Sequence, residues 1–369
     1  MKKNLLITID FPPQKGGVAN YLANFSEYLS NIIVLANEQP QAQSFDSHRK
    51  FKIIRANLYY QYFWPRWLKI YFIAKKIIAK DNIDQLIISH ILPIGYVALL
   101  LKKPFVVILH GYDLLNTQKN IWKKFLAKLI LSKAKYIIVN SQYTKTETLK
   151  LGNWEDKIRI VYPCPHITPA QMVEAEKQII YNELDLYHKK ILLSVGRVVE
   201  RKGFDKVIMA LPELIDKVPN LIYLIVGNGD YIKKLEALAE KLQIRGNVIF
   251  IANSNDRQLA CYYALANIFI MPSRLEKKTD VEGFGTVYLE AALFGKPAIA
   301  GNSGGAGEAV INNQTGILVD PQNVQEIKEA VLNLLADPEL SNKLGVQAKQ
   351  RAEAEFQWPK QLNKIKDII

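Results

Sequence analysis

Two carboxylates stand eight positions apart in the stretch EGFGTVYLE, which runs from Glu282 to Glu290. Gly283 and Gly285 have no Cβ, so the backbone around them can approach a ligand closely. If a helix begins near Gly285, its free amide groups and its positive dipole end can hold a phosphate. Both glutamates can accept hydrogen bonds from sugar hydroxyls. This combination suits a nucleotide sugar, whereas an acidic first turn that only stabilises a helix is the structural alternative.

A basic motif, VGRVVERKG, follows a strand predicted over residues 190–196. It places Arg197 at the end of that strand and Lys202 in the loop that follows. Both side chains can reach one diphosphate, since arginine offers a fork of donors and lysine a compact positive charge. Positive groups there would stabilise a departing nucleotide phosphate. A basic loop without a ligand is the alternative.

The first half of the chain carries two weaker signals. Gly16 and Gly17 lie between a strand predicted over residues 3–10 and a helix predicted from about Val18 to Leu29, which is an anion-binding arrangement. The full G-x-G-x-x-G fingerprint is absent there. His110 ends the apolar run FVVILH, and the carboxyl ends of parallel strands face the ligand crevice in open α/β sheets. His110 is therefore a candidate functional residue, with a structural histidine as the alternative.

The net charge of +13 is unevenly distributed. Residues 1–169 hold 24 Lys and Arg against 10 Asp and Glu, whereas residues 170–369 hold 24 against 25. A one-sided basic field implies an anionic partner, such as a phospholipid surface, nucleic acid or a polyphosphate acceptor. Charge that serves only solubility is the alternative.

No apolar run is long enough to cross a membrane, and the one after the N-terminus is ended by Asp10, too early for a signal peptide. Cys164 and Cys261 are too few and too far apart for a disulfide framework, so a reducing cytoplasm is expected.

Predicted strands and helices alternate through both halves of the 369 residues, which indicates an α/β fold with two doubly wound domains. We expect residues 1–165 to form an N-terminal domain, completed by a C-terminal helix over 356–369, and residues 166–355 to form a second domain. A lysine-rich helix is predicted from Leu114 to Lys135. Another, from Trp67 to about Lys80, combines aromatic side chains with lysines, which suits an anionic membrane surface; a core helix with solvated lysines is the alternative.

These motifs resemble those of a known family. EGFGTVYLEA is similar to the donor-site signature of the retaining glycosyltransferases of family 4, and VGRVVERKG, GGVANY and HGYD also resemble motifs of that family. The resemblance covers nearly the whole chain and points to bacterial lipid- or polysaccharide-directed hexosyltransferases. It implies the GT-B architecture, in which two Rossmann-like domains face each other across a cleft. The family usually has a proline where this chain has Gly307, so the shape of that loop is not implied.

The resemblance also implies residue roles. The diphosphate would be bound by Arg197 and Lys202, the sugar hydroxyls by Glu282 and the ribose by Glu290. The other implied donor-side residues are Gly16, Gly17, Ala252, Asn253, Gly283, Phe284, Gly285 and Thr286. Gly17, His110 and Asp113 are implied on the acceptor side, with His110, Arg197, Lys202 and Glu282 as the catalytic set.

The expected activity is retaining transfer of a hexose from a nucleoside-diphosphate sugar to a lipid-linked or membrane-surface acceptor. We expect neither a metal nor a cofactor, because no Asp-x-Asp pair stands in the signature region. The expected location is the cytoplasm or the inner face of the cell membrane, without a nucleic-acid partner. The sugar, the base and the acceptor stay open.

Three other functions compete with this one. A GT-B epimerase would act on the sugar nucleotide without an acceptor. A non-catalytic protein that binds nucleic acid or membranes would explain the basic first half but not the donor signature. A Rossmann dehydrogenase ranks lower, because no strand–turn–helix segment carries the full glycine fingerprint.

Overall fold

Runs of isoleucine, leucine and valine form parallel strands whose side chains are buried on both faces, as expected for sheets covered by helices. The computed structural model describes residues 2–14, 16–276 and 280–369. The chain divides into two units, one made of Met1–Pro163 with Trp358–Ile369 and the other of Cys164–Gln357. Each unit is built on one parallel sheet, so the prediction of two Rossmann-like α/β domains is confirmed.

The first unit contains a seven-stranded sheet of order β3-β2-β1-β4-β5-β6-β7. Its strands are β1 (Asn4–Ile7), β2 (Ile32–Asn37), β3 (Lys52–Ala56), β4 (Gln85–Ile88), β5 (Phe105–Leu109), β6 (Tyr136–Val139) and β7 (Ile158–Ile160). The strand order reverses between β1 and β4, where Leu6 pairs with Ile87. Ligands of open α/β sheets bind at the carboxyl ends of the strands beside such a switch point.

The described residues of this unit form seven α-helices between the strands. They are α1 (Gly17–Glu27), α2 (Ala42–Asp46), α3 (Leu68–Asp81), α4 (Ile94–Leu101), α5 (Tyr112–Thr117), α6 (Ile121–Lys133) and α7 (Gln142–Leu149). The prediction of one helix from Leu114 to Lys135 is wrong. The side chain of Asn120 accepts hydrogen bonds from the amides of Trp122 and Lys123, so it caps a new helix instead of continuing the first.

The second unit contains a six-stranded sheet of order β10-β9-β8-β11-β12-β13. Its strands are β8 (Lys190–Val195), β9 (Leu221–Val226), β10 (Val248–Ile251), β11 (Ile268–Met271), β12 (Ala298–Gly301) and β13 (Gly316–Val319). Its helices are α8 (Glu174–Glu183), α9 (Phe204–Lys217), α10 (Ile232–Lys241), α11 (Asp256–Leu265), α12 (Thr286–Leu293), α13 (Ala306–Ala309), α14 (Val324–Ala336) and α15 (Pro338–Glu355). The order reverses between β8 and β11, and both the VGRVVERKG and EGFG motifs follow one of these two strands.

The C-terminal segment returns to the first unit. A short helix, α16 (Trp358–Asn363), places the ring of Trp358 5.2 Å from that of Tyr21 on α1. Lys2 Nζ donates to the carbonyl oxygen of Ile368 at 2.7 Å. Phe356, just before this segment, packs on Phe284 with ring centroids 5.6 Å apart and is part of the second unit. Among the described residues, no helix is both long and apolar enough to span a lipid bilayer.

Candidate functional site

The loop after β8 carries the positive groups of the second unit. A 3-10 turn over Glu200–Lys202 directs Lys202 inward, where the residue is 7 % exposed. Its Nζ lies 2.5 Å from Glu282 Oε2, and Nη1 of Arg201 lies 2.9 Å from the same oxygen. Two cations therefore converge on one carboxylate oxygen, and Arg201 Nε lies 2.9 Å from Asp280 Oδ1 as a further ion pair.

This arrangement fixes the ionisation of Glu282. Burial alone would raise the pKa of Glu282, but the charges and hydrogen bonds of Lys202 and Arg201 outweigh it and lower that pKa to about 2. Burial lowers the pKa of Lys202, and the positive charges of Arg201 and Arg197 act in the same direction, while Glu282 opposes them. The cluster therefore keeps the carboxyl group of Glu282 ionised near neutral pH.

Close backbone packing positions the glutamate loop. Gly285 starts α12 with φ of +93°, a conformation that side chains with a Cβ rarely adopt. Behind the loop, the amide of Gly305 donates to the carbonyl oxygen of Glu282 at 2.9 Å. A Cβ at Gly305 would lie 2.2 Å from the carbonyl oxygen of Gly283, so only glycine permits this contact. Glu282, Gly283 and the start of α12 are therefore held together.

Arg197 stands apart from this cluster. It follows Gly196 and is exposed, and its guanidinium makes no hydrogen bond or ion pair with any other residue that the structure describes. Its charge nevertheless acts on the pKa of Lys202, so the two cations are neighbours. An exposed guanidinium beside a buried ammonium group leaves donors for an anion on the open side of the loop.

Glu290 lies in different surroundings from those of Glu282. It is 7 % exposed; its Oε2 accepts from the hydroxyl of Tyr263 at 2.8 Å, and its Oε1 accepts from the amides of His166 and Ile167 at 3.3 and 3.5 Å. Burial raises the pKa of Glu290 despite these hydrogen bonds. Both oxygens thus have partners within the protein, and the expected contact with a ribose stays a prediction.

The remaining donor-side candidates fall into two groups. Ala252 and Asn253 are exposed just after β10, whereas Gly283 and Thr286 are half-buried beside the start of α12. The ring of Phe284 is buried against Phe356, so only its backbone is available to a ligand. Their roles in donor binding stay predictions.

His110 lies at the carboxyl end of β5, as predicted. Its ring makes an edge contact with Tyr21, with centroids 5.3 Å apart. Its Nε2 is buried and has no hydrogen-bond partner among the described residues. Burial, assisted by the nearby His90, lowers the pKa of His110 to about 3, so the imidazole is neutral near pH 7. A neutral ring with an unsatisfied nitrogen can exchange a hydrogen bond with a hydroxyl.

Asp113 serves the local turn. Its Oδ1 accepts from the amide of His110 at 3.0 Å, and burial raises the pKa of its carboxyl group. Its Oδ2 is buried and unpartnered within the described chain, so the expected acceptor contact stays a prediction. Gly16 and Gly17 begin α1, and no described atom lies within 4 Å of where a Cβ would stand on either, which leaves open space above that loop.

Sequence reasoning missed three contributors to these clusters. Arg201 could have been found from the sequence, because it is adjacent to Lys202 in the same motif. A second cation in a basic loop indicates that a carboxylate or another anion lies nearby. Asp10 and His90 lie in the loops that follow β1 and β4, and His90 Nε2 lies 3.1 Å from Asp10 Oδ2. The hydrogen bond to His90 lowers the pKa of Asp10 against the effect of burial. Nothing local in the sequence pairs these two residues.

Two family models match the chain. "Glycosyltransferase Family 4" matches residues 15–165, and "Glycosyl transferases group 1" matches residues 177–351. The family 4 model covers the Gly-Gly loop and the HGYD motif, and the group 1 model covers the VGRVVERKG and EGFG motifs. The chain is a glycosyltransferase, with a family 4 domain in its first half and a group 1 domain in its second.

The glycosyltransferase is similar to named relatives over most of its length. It is 29 % identical over 368 residues to the GDP-mannose-dependent alpha-(1-6)-phosphatidylinositol monomannoside mannosyltransferase of Mycolicibacterium smegmatis, covering 96 % of this chain and 94 % of the relative. The Mycobacterium tuberculosis protein of the same name is 27 % identical, with 100 % and 98 % coverage.

Solved structures show the same fold. Anabaena HepE in complex with UDP and glucose superimposes with a TM-score of 0.84 at 19 % identity, covering 100 % of this chain and 99 % of the other. Sucrose-phosphate synthase from Thermosynechococcus elongatus superimposes with a TM-score of 0.81 at 22 % identity, with 100 % and 98 % coverage. The glycosyltransferase thus has the GT-B fold. Within its described residues, no group of three or more His, Cys, Asp or Glu is placed to hold a metal ion.

Proposed function

We propose that this glycosyltransferase transfers a hexose from a nucleoside-diphosphate sugar, with retention of configuration, to the hydroxyl group of a lipid-linked acceptor. The observation that carries the proposal is the cluster of Lys202, Arg201 and Glu282 beside the exposed Arg197. The names of the mycobacterial relatives support GDP-mannose as the first donor to test and a phosphoinositol-type lipid as the first acceptor.

In the proposed mechanism, Arg197 and Lys202 bind the diphosphate, and the amides at the start of α12 supplement them. The bond from the anomeric carbon to the diphosphate breaks as negative charge develops on the leaving oxygen. The acceptor hydroxyl attacks from the same face, and its proton passes to the departing phosphate. Glu282 is held ionised, so it can accept hydrogen bonds from sugar hydroxyls without acting as a nucleophile.

The acceptor-side residues support an orienting role. His110 offers a neutral imidazole whose Nε2 has no partner in the described structure, and the Asp10–His90 pair lies nearby, since the rings of His90 and His110 are 6.2 Å apart. Such groups can orient a hydroxyl without the cost of desolvating a cation. No separate base is needed when the leaving phosphate takes the proton.

A panel of nucleotide sugars tests this proposal. We expect the protein in excess EDTA to transfer hexose from at least one of GDP-mannose, UDP-glucose and ADP-glucose to phosphatidylinositol or a polyprenyl-phosphate sugar in mixed micelles. Mass spectrometry detects the product, and NMR of the new anomeric proton reports its configuration. Inverted product would refute retention, and activity that EDTA abolishes and a divalent ion restores would refute metal independence.

The same panel of nucleotide sugars, incubated without acceptor, distinguishes a transferase from the alternative GT-B epimerase. An epimerase converts the sugar nucleotide by itself, whereas a transferase yields only slow hydrolysis under these conditions. Conversion of the donor to an isomeric sugar nucleotide would therefore replace the proposed function.

Membrane association is the second part of the proposal. We expect α3 from the sequence to bind the membrane surface, but this helix buries Ile70, Ala74 and Ile77 in the core of its unit. This face is therefore not available to a membrane. The five most exposed large apolar side chains among the described residues of this unit lie outside α3. They are Tyr62 at 93 %, Trp64 at 85 %, Ile121 at 80 %, Trp122 at 73 % and Phe125 at 59 %.

Charge complementarity favours an anionic bilayer as the partner of this surface. On α6, Trp122 and Phe125 alternate with the exposed Lys123, Lys124 and Lys128. Aromatic rings at the headgroup level with lysines beside them are typical of helices that lie in the interface plane. Each lysine near an anionic surface contributes about 1 kcal/mol.

Vesicle flotation measures this association. We expect the protein to float with vesicles containing anionic phospholipid at least tenfold more than with phosphatidylcholine alone, and high salt should reduce the bound fraction. The double variant Trp122→Ser, Phe125→Ser should lose most of the binding, whereas Tyr187→Ser, an exposed aromatic of the other unit, should not. Equal partitioning between the two vesicle types would contradict the proposal.

A further inference from the structure

A pocket that neither the sequence motifs nor the relatives assign opens in the loop after β3. Its volume is about 740 Å³. Four aromatic side chains line it, from Tyr59, Tyr60, Trp64 and Trp67. The guanidinium of Arg66 and the side-chain amides of Asn57 and Gln61 complete the wall, and no carboxylate among the described residues is part of it.

The loop that forms the pocket is built by its own hydrogen bonds and ring contacts. The amide of Tyr60 donates to the carbonyl oxygen of Arg66 at 3.0 Å, which closes the loop. The ring of Phe63 contacts that of Tyr60 edge-on at 5.5 Å. Trp67 packs at 5.1 Å against Tyr96 on α4, and this contact fixes the far wall. Binding would therefore require little ordering of the loop, which favours affinity.

The side chains that line the pocket indicate which class of ligand it can bind. Aromatic faces bury the apolar faces of a ring, and side-chain amides exchange hydrogen bonds with hydroxyls on its edge. The side chain of Arg66 is exposed, and its guanidinium makes no hydrogen bond or ion pair within the described chain, so its fork of donors is free for a phosphate. The basic character of this half of the chain favours an anion over a cation.

The pocket lies near the acceptor-side residues. Strands β3, β2, β1 and β4 are parallel neighbours, so the loops after β3, β1 and β4 emerge at the same edge of the sheet. Tyr96, which packs on Trp67, belongs to the helix that follows the loop of His90. Burial raises the pKa of Tyr59, and the nearby carboxylate of Asp10 acts in the same direction, which places this wall close to the Asp10–His90 pair.

We propose that this pocket, at residues 57–67, binds a hydroxylated ring that carries a phosphate, as the head of the acceptor. The inference rests on the proposed function, since it names the part of the acceptor that this unit recognises. A cyclitol phosphate and a sugar phosphate share the required chemistry. Arg66 holds the phosphate, and the aromatic walls hold the ring.

Fluorine NMR of the full-length protein containing 5-fluorotryptophan tests the proposal at the site itself. Two of the five tryptophans, Trp64 and Trp67, line the pocket, and Trp122 serves as an internal reference. The probes are myo-inositol 1-phosphate, α-glucose 1-phosphate and inorganic phosphate, each added with saturating GDP to occupy the donor cluster. We expect at least one ring phosphate to shift the Trp64 and Trp67 resonances saturably, and the probe that does so identifies the source.

The variant Arg66→Gln should weaken that binding at least fivefold, while Lys119→Gln, an exposed basic residue of the same unit, should leave it unchanged. Unshifted Trp64 and Trp67 resonances, or equal shifts with inorganic phosphate alone, would overturn the proposal. A pocket that holds an alkyl chain instead would respond to octyl phosphate and to neither ring phosphate. Hydrolysis of the donor sugar nucleotide is measured in parallel. A protein that hydrolyses the donor but shows no shift of the Trp64 and Trp67 resonances contradicts the pocket proposal alone, whereas a protein that hydrolyses no donor contradicts the proposed function.

Discussion

Replacing Lys202 by alanine is expected to lower kcat/KM for hexose transfer by about 100- to 1,000-fold, the range found when one preorganised donor to a developing oxyanion is removed. The ammonium group is buried and already positioned, so the charge developing on the diphosphate would meet it without reorganisation. The variant should also bind GDP or UDP about tenfold or more weakly, since hydrogen bonds to charged groups contribute about 1.5–3 kcal/mol.

Calorimetry of nucleotide binding and steady-state kinetics measure the two effects. Lys217→Ala is the matched control, because Lys217 is an exposed lysine at the opposite end of the helix that follows this loop. In Lys202→Ala, Glu282 keeps Arg201 as its partner, so we expect the variant to fold. Unchanged nucleotide affinity in a folded variant would remove Lys202 from the diphosphate site.

Much of the fold could be predicted from the sequence. Apolar runs such as FVVIL, bounded by polar loops, specify buried parallel strands, and their alternation with helical periodicity specifies a doubly wound sheet. The break between α5 and α6 was missed because Asn120 stands in an otherwise continuous lysine-rich pattern. Asn120 starts a new helix because its side chain accepts hydrogen bonds from two backbone amides, and the spacing of apolar residues gives no sign of such a cap.

The motifs that form the cluster of Arg201, Lys202 and Glu282 could be recognised in the sequence, but the ion pairs between these residues could not. The spacing of VGRVVERKG indicates that Arg197 and Lys202 share a loop, and EGFG indicates a helix start. That Arg201, and not Arg197, pairs with Glu282 depends on which residue of a 3-10 turn faces inward. Pairing across about 80 positions arises from the neighbouring carboxyl ends of β8 and β11.

The sequence did not reveal which aromatic residues of the first unit are exposed to solvent. Composition indicated that a segment rich in aromatic residues and lysines lies near the surface, yet α3 buries one face while Tyr62 and Trp64 in the preceding loop stay exposed. A helix must bury a face wherever it packs on a sheet, so its aromatics alone cannot reveal which side faces solvent. The tertiary contacts decide which of them are available to a partner.

Replacing Glu282 by glutamine should separate sugar recognition from diphosphate binding. We expect transfer to fall at least 100-fold, because the ionised oxygen that we propose accepts hydrogen bonds from the sugar hydroxyls is lost. Affinity for free GDP or UDP should rise several-fold instead, because Arg201 and Lys202 are no longer neutralised by Glu282. Kinetics and calorimetry on the same preparation measure both, and Glu240→Gln, an exposed glutamate on α10, is the control.

The pH dependence of stability provides an independent check on this assignment. Folding lowers the pKa of Glu282 from its ordinary value of 4.5 to about 2. Its contribution to stability is therefore fully present above about pH 4.5 and is lost as the pH falls towards 2. Wild type should be more stable than Glu282→Gln at pH 7, and the difference should narrow over that acid range. In the binding experiment, a Glu282→Gln variant that lost both nucleotide affinity and transfer would contradict the proposed role in sugar binding. Glu282 would then organise Arg201 and Lys202 for the diphosphate, and another residue would bind the sugar hydroxyls.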